Sequence, residues 1–398
     1  MFTVTRDLML PTSVTGSWPR PSWYDTNLHG RPLSEWMADA AYREKFLDAI
    51  AVVISEQEWA GLDILTNGDY HLDADFGGRS WLYYPVERLA GLAATALEMT
   101  DPRYSGPPGT YLQEIMSAWR YPTVEGRLGL RSDRPLEYAK VWRVAQGRSD
   151  RPVKFGTVSA QTIVSVLANK GAYKEADLIS DLSSAMNTEL RALAAAGCQA
   201  IQIEDPLPHI ILSVDAKADR GWVDFLIDSY NHEVSGLEDV EVWIHTCWGN
   251  PGAQRVQDRT SYAESIEIYL ERMQGDVWTV EAPAGDIPGL IKLFEPYRDR
   301  LSKKIALGVI SHRTVQVESV AEVAASVRAA AEVIGPEHLA VTSDCGFGRQ
   351  GVPRAVALFK ASALVQGTNV VRAELGLPQT RVRSAEPTLQ VDVIPEAS

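Results

Sequence analysis

The chain has 398 residues, 45% hydrophobic and 23% charged, enough to bury a substantial core in one large α/β domain or two smaller ones. A formal net charge of −14, with no Lys/Arg-rich run against it, argues against nucleic acid and anionic lipid as partners. Three cysteines are too few for a disulfide scaffold and suggest a reducing cytoplasm; no signal-peptide pattern opens the chain and no apolar run approaches the ~18 residues of a membrane span.

Short β-branched, apolar runs alternate with longer segments of helical period, giving eight strand candidates in order. The first four are Pro11–Ser17, Ile64–Asp69, Val153–Ser159 and Ala200–Glu204. Val240–Thr246, Val277–Glu281, Ile305–Ser311 and Leu339–Ser343 complete the set. Helical periodicity lies between them at Glu175–Ala195, Ser261–Met273, Glu318–Val333 and, after the last strand, Arg354–Glu374. This repeat predicts an α/β fold of the (β/α)8 TIM-barrel type, a single catalytic domain over residues 1–378. Residues 92–149 break the repeat with Gly/Pro turns and several aromatics, and form an elaboration between units 2 and 3: a lid over one face or a structural hairpin of helices. The tail, 379–398, is expected to wrap the surface or contact a neighbouring subunit of a homo-oligomer.

In such a barrel the C-terminal strand ends point at the site, so polar residues there carry the information. His245 and Cys247 end the fifth predicted strand, and a period of two puts both side chains on one face. Glu281 ends the sixth, and Cys345 follows the eighth within Ser343-Asp-Cys-Gly-Phe-Gly348. Each residue alone has a bland explanation, but together they supply four donors for one Zn2+ per chain. Cys198, in a small-residue helix end before a strand, is expected in the core. Two thiolates, a carboxylate and a neutral imidazole around zinc carry a formal charge of −1, which favours keeping a bound thiol deprotonated and nucleophilic over activating water.

At these residues the chain resembles the catalytic half of cobalamin-independent methionine synthase and its single-barrel relatives, zinc-dependent alkyltransferases that act on thiols. The resemblance runs from Pro11 to about Leu377 and includes Thr15-Gly-Ser17, Asn67-Gly-Asp69 and Ile201-Gln-Ile-Glu-Asp-Pro206. It implies that Ser17, Asp69 and Glu204 hold the substrate thiol, homocysteine in methionine synthases. Asp69 stands where those enzymes carry Glu, and Glu204 where they carry Asp. After the seventh predicted strand, their Asp-x-His-Ser pattern is replaced here by Ser311 and Arg313 in the Asp and His positions, with His312 between. Val158 stands at the position of their folate-stacking aromatic.

Gly16-Ser-Trp-Pro-Arg-Pro-Ser-Trp-Tyr-Asp25, Gly77-Gly-Arg-Ser-Trp-Leu-Tyr-Tyr-Pro85, Ser311-His-Arg-Thr-Val-Gln316 and the run from Ser343 to Gln350 are more similar to epoxyalkane:coenzyme M transferases. That resemblance implies two small-molecule partners, a thiol of the coenzyme M type and a small electrophile. A sulfonate requires cations, and Arg313, Arg349, Arg79, Arg20 and Lys154 adjoin strand ends; alternatively the arginines pair with Asp69, Asp73, Asp75 or Glu204. The alkoxide left by an opened epoxide needs a proton, for which His312, His71, His209 or a tyrosine is a candidate. The other readings are methyl transfer from a folate or corrinoid donor to homocysteine or another thiol, a purely structural zinc, and a metal-free barrel related to uroporphyrinogen decarboxylase.

Overall fold

The computed structural model describes residues 2–24, 28, 30–71, 84–98, 108–117, 120–169, 171, 173–254, 261–282, 286–348 and 351–386. Nine strands are labelled here: β1 Leu65–Thr66, β2 Leu89–Glu98, β3 Arg120–Leu130, β4 Val153–Val158, β5 Ala200–Glu204, β6 Glu241–Thr246, β7 Val277–Val280, β8 Lys304–Ile310 and β9 Leu339–Ser343. The principal helices are α1 Ala40–Ala60, α2 Tyr138–Gln146, α3 Glu175–Ala195, α4 Leu207–Val214, α5 Arg220–Glu233, α6 Val320–Ile334 and α7 Arg354–Glu374.

Seven strands form one parallel sheet in the order β1-β4-β5-β6-β7-β8-β9, with helices in most of the connections. Strands β4 to β9 are buried at every position, as both-face covering requires and as their near-continuous apolar character implies. Helices α3, α6 and α7 lie where the 3.6-residue period put them, whereas the expected helix Ser261–Met273 is helical only over residues 266–272, mostly as the π-helix Ile268–Arg272. On α3, Leu178, Ile179, Leu182, Met186, Leu190 and Leu193 recur at three- and four-residue spacing and are all buried. Helix α6 begins in a capping box, with the Ser319 side chain accepting from Glu322 N–H and the Glu322 carboxylate from Ser319. Among the described residues, no helix is long and apolar enough to cross a membrane.

The first of the eight expected strands is not a strand. Pro11–Ser17 makes a single parallel bridge, Thr12 to Val341, although its backbone bonds both edge strands: Val341 N–H donates to Pro11 O (2.8 Å), Ser13 N–H to Val341 O (3.0 Å), and Ile64 N–H to Thr12 O (3.0 Å). Pro11 has no N–H, and side chains take over the rest of the ladder. Asp63 Oδ2 accepts from Thr12 N–H, Ser13 Oγ donates to Ile64 O, and Ser343 Oγ accepts from Thr15 N–H. The second predicted strand likewise shrinks to Leu65–Thr66.

The elaboration is also corrected. Its described part is built on an antiparallel ribbon of β2 and β3, rather than on a hairpin of helices. Gly91 explains the bulge between Ala90 and Leu92: its φ is 85°, and a Cβ there would fall 2.3 Å from the Arg127 carbonyl oxygen. Between the strands, helix Tyr111–Ser117 lies beside residues 251–253, just beyond the end of β6.

The concave interior of the sheet is layered. Trp243, Ile64, Val277, Ala306 and Ala340 form a small apolar floor separate from the main core. Above it Lys154 Nζ sits 4.1 Å from the Trp243 ring centre. Residues two further along the strands, Gln202 to Glu204 and Trp243 to His245, share that inner face and rise toward the C-terminal rim.

Candidate metal centre

His245 is fully buried at the end of β6, with Cys247 half-buried just past it and Cys345 buried just past β9. One donor atom from each lies within 4.8 Å of the other two. A tetrahedral zinc with bonds of 2.0–2.3 Å places neighbouring donors about 3.5–3.8 Å apart, so the cluster is of the right size. The imidazole is prepared for such a role. Nδ1 is held by Glu204 Oε2, and the buried Nε2 has no hydrogen-bond partner among the described residues. A carboxylate on Nδ1 fixes the proton there and leaves the Nε2 lone pair exposed to the two sulfurs.

The turn carrying Cys345 is braced against Pro11–Ser17. Phe347 and Gly348 N–H groups donate to Ser17 O, and a Cβ at Gly346 would fall 2.5 Å from Ser17 Oγ, so only glycine allows the approach. Asp344 Oδ1 accepts from Ala282 N–H and rests on Gly308, where a Cβ would be 2.3 Å away. These contacts tie the ends of β7, β8 and β9 together.

Glu281, the fourth expected ligand, is buried beside the cluster but its carboxylate is turned to four donors. Oε1 accepts from Arg313 Nη2 (2.6 Å) and Nε (3.2 Å); Oε2 accepts from Asn250 Nδ2 (2.7 Å) and Trp248 N–H (3.1 Å). Arg313 also donates to Asn250 Oδ1. The expected substrate cation Arg313 is thereby paired with the expected ligand Glu281.

Anionic groups dominate the cluster. The hydrogen bond that the Cys247 thiol makes to Cys345, then burial, push that thiol well above its usual range. Burial and then Glu281 do the same to the Asp344 carboxyl. Burial pulls the His245 imidazole down, but the Glu204 carboxylate more than offsets it and the net shift is upward. Two sulfurs, an exposed lone pair and three nearby carboxyls form a site that a divalent cation would relieve, so the residues fit a metal.

The remaining expected residues are distributed as follows. Ser17 is fully buried; its carbonyl braces the Cys345 turn, and its Oγ has no hydrogen-bond partner among the described residues. Asp69 is buried with φ of 54° and lies against β4, where a Cβ on Gly156 would come 2.7 Å from Oδ1. Glu204 bonds Gln202 and His245. His312 is buried between Ser311 and Arg313. His71 accepts from Asn67 Nδ2 and stacks on Phe155, 5.0 Å between centroids; burial, then Arg88, pull it down to about 3. Phe155 is on the face of β4 opposite Lys154, so His71 belongs to the aromatic packing outside the sheet. His209 bonds Ser265 Oγ and stacks on Tyr262 behind Trp248, and burial lowers it to about 3. Neither histidine joins the metal cluster. Arg20 donates to Tyr70 O and lies over the Tyr24 ring. Arg349, Arg79, Asp73 and Asp75 lie outside the described residues. Sequence reasoning missed Asn250, Asp344 and Gln202; each sits within three residues of an expected site residue, which was the available signal.

Residues 10–366 match the family described as the cobalamin-independent synthase catalytic domain. The chain is 26% identical to a 2-hydroxypropyl-CoM lyase of Xanthobacter autotrophicus, covering 93% of this chain and 96% of that protein. It is also 26% identical to a methionine synthase of Sulfurisphaera tokodaii, covering 92% and 94%. In fold it is similar to a B12-independent methionine synthase of Shewanella solved with selenomethionine, with a TM-score of 0.71 at 22% identity over 92% of this chain and 99% of that one.

Proposed function

Since the chain belongs to the cobalamin-independent synthase catalytic-domain family, we propose that it is a zinc-dependent alkyltransferase in which a substrate thiolate attacks an electrophilic carbon. The observation that carries this reading is the convergence of a His245 ring nitrogen with the Cys247 and Cys345 sulfurs, with His245 Nε2 left without a hydrogen-bond partner among the described residues. Those three would hold the ion, while Glu281, the expected fourth ligand, stands outside the donor group with its carboxylate held by Arg313, Asn250 and Trp248. Zinc, when bound there, supplies the Lewis acidity that strips the proton from a substrate thiol at neutral pH.

The chain's own residues support the rest. Glu204 locks the His245 tautomer, and Arg313 with Asn250 holds the Glu281 carboxylate. Glu204 is engaged by Gln202 and His245, which supports a role in orienting the imidazole and is in keeping with a thiol without an amino group. Arg313, which stands where the resemblance places a histidine in methionine synthases, is committed to Glu281. The sharpest version is therefore opening of an epoxide by a thiol of the coenzyme M type. Sulfur bonds to one epoxide carbon, that carbon's C–O bond breaks, and the alkoxide takes up a proton, giving a 2-hydroxyalkyl thioether.

Turnover of coenzyme M, homocysteine and glutathione against one epoxide and one methylated folate, read by mass spectrometry, tests the proposal. The expected product is the sum of coenzyme M and the epoxide, formed only by zinc-loaded protein. A homocysteine product heavier by one methyl group would select methyl transfer instead. Full activity after metal removal would overturn both readings.

A further inference from the structure

A hydrogen-bonded chain runs from the interior floor to the candidate metal ligand. Lys154 Nζ, fully buried, donates to Gln202 Oε1 and to Val14 O (3.3 Å). Gln202 Nε2 donates to Glu204 Oε1 (2.8 Å), and Glu204 Oε2 accepts from His245 Nδ1. Each link has only one possible polarity. The Glu204 carboxylate can only accept, so Gln202 turns its NH2 toward Glu204 and its oxygen toward Lys154, which donates to it. A carboxylate can only accept, so the proton of the neutral imidazole sits on Nδ1 and Nε2 faces the sulfurs.

Resting on the zinc reading above, we infer that Lys154, Gln202 and Glu204 are positioning residues that set the tautomer and aim of His245 toward the metal, and that Glu204 serves this chain in place of a substrate amino group. The length of residue 204 is what permits it, because the carboxylate must span from Gln202, two residues back on the same strand, to His245 on the neighbouring one. Lys154 begins the chain: burial pulls its ammonium down to about 7, Glu204, Asp69 and Glu241 act against that shift, and the Trp243 ring lies under it.

Four variants probe the links. Glu204→Gln keeps the shape but gives position 204 an NH2 that must face either the Gln202 NH2 or the imidazole N–H, so the polarity breaks. Gln202→Met and Lys154→Met remove the upstream links, and Glu204→Asp shortens the reach. The zinc dissociation constant is measured by chelator competition, the cobalt-substituted protein by its visible spectrum, and kcat and KM with the thiol separately; circular dichroism confirms folding. The expected result is a 10- to 100-fold weaker zinc affinity for Glu204→Gln, of the size typical for partners of ligating histidines, with a shifted cobalt spectrum. Smaller losses are expected for the upstream variants, and for Glu204→Asp a loss below that of Glu204→Gln. Should Lys154→Met fail to fold, Gln202→Met and Glu204→Asp decide. Unchanged zinc affinity in Glu204→Gln, with only the thiol KM raised, would overturn the inference and make Glu204 a substrate anchor. A wild-type chain that bound no zinc would instead bring down the proposed function, and this inference with it.

Discussion

Replacing Arg313 with Met tests the most heavily bonded contact of the site. Arg313 provides two of the four donors to Glu281, whose side chain is 1% exposed, while the Arg313 side chain is 19% exposed. Its loss leaves a buried carboxylate with Asn250 and Trp248 N–H alone, next to Cys247 and Asp344. Removing one partner of a buried pair costs about 3–5 kcal/mol, and the partial exposure of Arg313, which lets water follow it out, places the expectation near 3 kcal/mol. An unfolding entropy of about 2.1 cal/mol/K per residue gives about 0.8 kcal/mol per degree for 398 residues, so Tm should fall by about 4 °C in metal-stripped protein. Zinc restores a positive charge beside Glu281, so the gap between variant and wild type should narrow when both are loaded. Differential scanning calorimetry with and without zinc reads both quantities. A drop below about 1 °C, or a drop of equal size in both states, would refute the coupling of Arg313, Glu281 and the metal.

Three other outcomes follow from the same geometry. Cys247→Ala or Cys345→Ala should reduce bound zinc to background and abolish turnover, whereas Cys198→Ala should keep one zinc per chain, because Cys198 is buried away from the cluster with its Sγ bonded to Ala200 O; elemental analysis and product yield check this. Burial raises the Asp205 carboxyl to about 7 and the Glu233 carboxyl above its usual range, against the partial relief Asp205 receives from Gln161, so the folded state retains protons that the unfolded chain releases near pH 4. Their contribution is full below that pH and is lost as pH rises to about 7. The stability of wild type relative to Asp205→Asn, from urea midpoints, should therefore decline between pH 4 and 7, and a flat difference would contradict this. Trp278 is fully buried between the Tyr269 and Tyr262 rings and donates to Thr246 Oγ1, so Trp278→Ala should cost about 3–5 kcal/mol in urea titration and leave the donor residues in place.

The long helices were legible because their apolar period is strong: α3 and α7 run over the predicted Glu175–Ala195 and Arg354–Glu374. The buried strands β5 and β9 were equally plain. Pro11–Ser17 was not, since alternation of Thr and Ser with Val looks the same whether the backbone or the side chains complete the ladder. The ribbon of β2 and β3 was hidden because Leu89-Ala-Gly-Leu-Ala-Ala has no period of two, and only the pairing with residues 120–130 makes it a strand. In the site, the period of two joined His245 to Cys247, and topology brought Cys345 to them. The pairings of Glu281 with Arg313 and of Glu204 with His245 depend on which strand-end side chains face each other across the rim, and that is tertiary information.

Those two pairings change the electrostatics of the proposed reaction. Four protein ligands around zinc, with two thiolates and a carboxylate, would present an incoming thiolate with a formal charge of −1. In this chain the Glu281 charge is matched by Arg313, so with the proposed zinc bound, two thiolates and the divalent ion would leave the centre near neutral before substrate arrives. The thiolate then brings the charge to −1 rather than −2. In a buried site that difference is large on the scale of binding, because desolvated like charges repel strongly. A doubly charged thiol, bearing both thiolate and a second anion, gains more from it than a zwitterion such as homocysteine, whose ammonium would find Glu204 already bonded to Gln202 and His245. Under the proposed function Arg313 and Glu204 would act in the same direction: one would offset negative charge beside the metal, the other would be engaged with the imidazole, and both would favour an anionic thiol without an amino group.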